Sequence, residues 1–85
     1  MKDKIQEGYA TIEILSKDRT GLVSEITGIM SDLNITILQH NARVYNHRHK
    51  GMVSDFKVHV KADSPEQIEL LIRRLSKIKG VISVQ

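Results

Sequence analysis

The chain has 85 residues, 40% of them hydrophobic and 27% charged, with a formal charge of +3 and no cysteine. That length supports one domain with one thin core. The missing cysteine excludes disulfides, thiolate zinc sites and cysteine nucleophiles, and no segment approaches the roughly 18 apolar residues of a membrane-spanning helix.

The N-terminal MKDKIQEG has no apolar stretch of the signal-peptide kind, so a cytoplasmic location is expected, with residues 1–7 as a flexible extension. The charge is uneven. Residues 1–42 hold four Lys/Arg against six Asp/Glu, whereas residues 43–85 hold nine against four. An acidic partner for the second half is permitted but not required, because exposed charges also make ordinary solvated faces.

In chain order, YATIEIL alternates from Tyr9 to Leu15 and predicts a half-buried strand. Leu22, Val23, Ile26, Ile29, Met30 and Leu33 then recur at helical spacing, predicting a helix from Thr20 to Leu33 that closes on Asn34, a residue tolerant of the left-handed conformation. ITILQHNARVY, residues 35–45, predicts a second strand with a bulge near Ile37 and Leu38. Beyond the polar stretch 46–51, MVSDFKVHVK places Phe56, Val58 and Val60 on one side and Asp55, Lys57, His59 and Lys61 on a wet outer face.

A second helix carries its own punctuation. Ser64 and Gln67 have capping-box spacing, Pro65 takes the first helical position, and Ile68, Leu71, Ile72, Leu75 and Ile78 form a stripe that ends at Gly80. VISV, residues 81–84, is a last short strand. The order βαββαβ predicts an α+β, ferredoxin-like sandwich whose four-stranded antiparallel sheet runs 4-1-3-2 with both helices on one face. Its inner face should hold Ala10, Ile12, Ile14, Phe56, Val58 and Val60.

Catalysis finds little support, because none of the serines has a nucleophile-elbow context. His40, His47, His49 and His59 gather around one hairpin, but Arg48 and Lys50 among them repel a cation, so no metal site is expected. The element order is also that of RNA-recognition modules, which stack bases on aromatic residues of the central strands. Here those strands offer no aromatic platform, leaving Arg43, Arg48 and Lys50, with Lys57 and Lys61, as possible RNA contacts through phosphate.

SKDRTGL, residues 16–22, joins the first strand to the first helix, where unpaired backbone N–H groups and the helix dipole favour an anion. Gly21 lets a ligand approach the backbone, and Asp18 offers a carboxylate to an ammonium group, so the loop suits a zwitterion. Asp18 and Thr20 are also ordinary turn and cap residues. Both readings stay open at this level.

DRTGLVSEIT, with the ending LLIRRLSKIKGVISV, resembles the ACT domain, in particular the C-terminal ACT domain of bifunctional (p)ppGpp synthetase/hydrolases. The likeness spans about residues 8–85. It implies a non-catalytic regulatory module without a cofactor that forms a homodimer through edge strands and helices. A small ligand, often an amino acid, would lie near Asp18, Arg19, Thr20, Gly21 and Leu22, with Asn34 and Ile35 at the neighbouring start of strand two. The parent would be a GTP pyrophosphokinase relaying amino-acid or ribosome status, and the alternatives are a ribosome-contacting module or the sensor domain of a metabolic enzyme. Strand two, at a sheet edge with Ile35, Ile37 and Leu38, also invites pairing with a copy of itself.

Overall fold

The computed structural model describes residues 8–85, so the extension expected over residues 1–7 lies outside the described residues. Six elements follow one another: β1 (Tyr9–Lys17), α1 (Leu22–Asp32), β2 (Thr36–His47), β3 (Gly51–Lys61), α2 (Pro65–Leu75) and β4 (Val81–Val84). The sheet is antiparallel in the order β2-β3-β1-β4, which is the expected 4-1-3-2 read from its other edge. This is the ferredoxin-like sandwich.

Alternation along β1 and β3 builds the floor of the core. Ala10, Ile12, Ile14, Phe56, Val58 and Val60 are all buried, facing Leu22, Ile26 and Met30 of α1 and Ile68, Leu71 and Leu75 of α2. β1 runs two residues past its apolar pattern because Ser16 and Lys17 still pair with Ser54 and Val53. The outer face is not uniformly wet, since Val53 is fully buried there.

Local punctuation decides where the elements stop. The register of β2 on β3 slips between Ile37 and Gln39, placing the expected bulge at Leu38. Asn34 adopts φ 57°, its N–H donates to the Ser31 carbonyl, and the Ile35 N–H donates to that of Met30. This pair of bonds is a Schellman closure, with buried Met30 and Ile35 as its apolar contact.

Two expectations need correction at α2. The helix ends at Leu75, not at Gly80. Lys77 and Ile78 are held by N–H bonds to the carbonyls three residues earlier, a tighter winding that keeps Ile78 in the core without continuing the helix. The capping box is likewise incomplete. Ser64 caps nothing with its hydroxyl, while Gln67 accepts from the Asp63 N–H at 2.8 Å and donates to the Leu33 carbonyl at 2.9 Å.

Gln67 therefore ties the start of α2 to the end of α1. Gln67→Ala is expected to cost about 1–2 kcal/mol in urea unfolding, because two bonds are lost and a carbonyl is left bare. Ser64→Ala should stay within about 0.5 kcal/mol. Equal costs would show that the cap, and not the inter-helix tie, is what matters.

Candidate functional site

The loop after β1 is held from three directions. The Lys17 N–H donates to the Gly80 carbonyl at 2.9 Å, and the Asp18 N–H donates to the Met52 carbonyl at 3.2 Å. Arg19 donates from Nε to the Lys79 carbonyl at 3.0 Å and from its guanidinium to the Thr20 carbonyl at 3.2 Å, and it pairs with Glu25 in the first turn of α1. Arg19 thus clamps the loop to the α2–β4 turn instead of extending toward a ligand.

Gly21 sits at the N-terminal cap of α1 with φ 84° and ψ 0°. Its carbonyl accepts the Glu25 N–H, and among the described residues no side chain caps the helix, so the first-turn N–H groups lack the usual Ser, Thr or Asp acceptor there. The side chains of Asp18 and Thr20 are exposed beside this end, and Leu22 is buried as the first core residue of the helix. A backbone donor array next to the exposed Asp18 carboxylate is the local chemistry.

Asn34 and Ile35 lie elsewhere in the same chain. α1 separates them from the loop by 11 residues, about 16 Å of helix, so one chain does not bring the two groups together. Ile35 also turns its side chain into the core, leaving only its backbone for contact, whereas Asn34 is exposed. The end of β2 is the part of the edge nearest the loop, through the bond from Asp18 to Met52.

The basic residues do not form one track. Arg43 reaches Asp55 at 3.3 Å and lies 5.0 Å over the Tyr45 ring, while Arg48 and Lys50 are exposed in the β2–β3 turn. The His49 N–H donates to His47 Nδ1 at 3.1 Å, and His59 is hydrogen-bonded to Thr11 at 2.7 Å. Among the described residues no three His, Asp or Glu side chains are placed to hold a metal ion, and no helix is long and apolar enough to cross a membrane.

Sequence reasoning allowed Arg19 a neighbouring partner without naming Glu25 or the Lys79 carbonyl, and it placed Asp55 on the outer face without singling it out. Asp55 has a carboxylate oxygen that is buried without a hydrogen-bond partner among the described residues. Its signal became readable only with the strand register, which sets Arg43 opposite it.

Comparison with known proteins agrees with this architecture. The ACT domain family model matches residues 6–85. An ACT domain-containing protein, ACR3 of Arabidopsis thaliana, is 31% identical over 72 residues, a match covering 82% of this chain and 16% of that relative. In structure, the ACT domain from the GTP pyrophosphokinase of Chlorobium tepidum superposes with a TM-score of 0.69 at 21% identity, covering 94% of this chain and 97% of that one. The C-terminal domain of the MgtC protein from Mycobacterium tuberculosis gives 0.66 at 19% identity, covering 95% and 88%. The shared fold, with a family match across nearly the whole sequence, shows that the chain belongs to the ACT domain family of regulatory modules.

Proposed function

We propose that this ACT domain works as a homodimer that takes a free amino acid between two copies and relays its presence to catalytic domains of a longer protein of the GTP pyrophosphokinase kind. The observation that carries the reading is the α1 N-terminus, closed by Gly21 with no side-chain cap and flanked by exposed Asp18. Backbone donors suit a carboxylate and Asp18 suits an ammonium group.

The second copy follows from the edge. β2 is 12 residues long and mostly exposed, with a single partner strand among the described residues. In an antiparallel pairing of β2 with its copy, the start of one strand meets the end of the other. Asn34 and the Ile35 backbone of one copy then approach the partner's loop, a neighbourhood that one chain alone does not create. A ligand held there binds paired and unpaired states with different affinity, which is the requirement for regulation.

Arg19 supplies a route outward, since it joins the loop to the α2–β4 turn. The parent enzyme is supported by the likeness of DRTGLVSEIT to ACT domains of that enzyme and by the Chlorobium fold. Ribosome contact has less to recommend it, because Arg43 is already neutralised by Asp55.

Titration of the chain with each common amino acid, followed by backbone amide resonances, tests the ligand. One amino acid should give saturable shifts at Asp18–Leu22 and at Asn34. Silence at those positions across the whole set would rule out the amino-acid reading.

A further inference from the structure

The sheet face turned away from the helices is a checkerboard of opposite charges. Register sets Arg43 opposite Asp55, and Lys57 opposite Asn41 on one side and Glu13 on the other. Arg43 reaches Asp55 Oδ2 at 3.3 Å, while among the described residues no ion pair joins Lys57 to Glu13. A cavity of about 420 Å³ lies among these residues, lined by Glu13, Asn41, Ala42, Arg43, Asp55 and Lys57. A second, of about 150 Å³, shares Glu13 and Asp55 and reaches Tyr45.

Asp55 is the focus of both. Its side chain is 15% exposed, and its Oδ1 is buried with no hydrogen-bond partner among the described residues. Buried carboxylate oxygens are ordinarily satisfied, so this one calls for an N–H donor. Glu13 adds a second acceptor nearby, and exposed Lys57, held by no ion pair among the described residues, supplies a cation for an anionic group on the same ligand.

Spacing sets the size of that ligand. Asp55 and Lys57 are two residues apart on one strand and one face, about 7 Å between their backbones. An α-amino acid holds its ammonium and carboxylate on a single carbon and does not span that gap. Two linked residues extend over as much as about 7 Å.

We propose that the open face is a binding site for a zwitterion of dipeptide size, with its ammonium on Asp55, its carboxylate on Lys57 and its amide beside Asn41. This site is separate from the loop and does not depend on the function proposed above. Alanyl-alanine, titrated into the chain and followed by amide resonances, is the probe. Saturable shifts are expected at Glu13, Asp55 and Lys57, with none from the doubly blocked N-acetyl amide form and weaker or no response to alanine.

Lys57→Gln removes one charge at an exposed position where folding is not at stake, and should weaken binding about tenfold. Asp55→Asn should do the same or more. The proposal is overturned if the open face gives no saturable shift, if the blocked dipeptide binds equally well, if Lys57→Gln leaves affinity unchanged, or if the shifts are confined to Asp18–Leu22.

Discussion

Replacing Phe56 with alanine is expected to lower stability by about 3–5 kcal/mol, enough to leave much of the chain unfolded at 25 °C. Phe56 is 1% exposed at the centre of β3, opposite Ile14 of β1 and Ala42 of β2, and the His40 ring stacks on it at 5.6 Å between centroids. It is the only phenylalanine and the largest of the fully buried side chains described. A domain of this size has roughly 4–13 kcal/mol in total, so the loss is comparable with the whole. Phe56→Leu should cost about 1.5 kcal/mol, since it keeps most of the volume. Urea unfolding separates the two, and a cost below about 1.5 kcal/mol for alanine would show that this part of the sheet collapses around the cavity.

The second large effect falls on Gly21. A Cβ there would meet nothing within 4 Å, so any penalty comes from backbone conformation and not from crowding. At φ 84° a β-branched side chain clashes with its own backbone, and Gly21→Val is expected to cost about 2–3 kcal/mol. Relief of that strain would rotate the peptide that aims the first-turn N–H groups, so the loop's response to amino acids should vanish in the same variant. Gly21→Asn tests the cause. Asparagine enters the left-handed region readily and should retain most of the stability and the ligand response. If valine and asparagine destabilise equally, left-handed strain is not the reason for glycine.

The fold was legible wherever one local rule sufficed. Alternation in YATIEIL and DFKVHV named the inner sheet face residue by residue, and Asn34 marked its helix end through its tolerance of positive φ. The end of α2 was not legible, because Ile78 keeps its place in the apolar stripe whether the chain winds at 3.6 or at 3 residues per turn. Gln67 was also misread. Its spacing from Ser64 satisfies a local motif, yet the nearby Leu33 carbonyl of α1 competes for the same side chain.

The site was legible in part. Asp18 and Gly21 could be placed at a helix start, but the clamp from Arg19 to Lys79 spans residues far apart in sequence and depends on how α2 meets β4. Asn34 and Ile35 look adjacent to the loop in the family pattern, although α1 carries them to the other end of the sheet. In the homodimer proposed above, that pattern would describe a neighbourhood that two chains make together.

Isotope-filtered NOE spectroscopy on an equal mixture of labelled and unlabelled chain reports on that proposed two-chain neighbourhood. Intermolecular contacts are expected along β2, with the Asn34 end of one copy close to the His47 end and the Asp18–Leu22 loop of the other. Intermolecular contacts confined to another surface, or none at all, would contradict it.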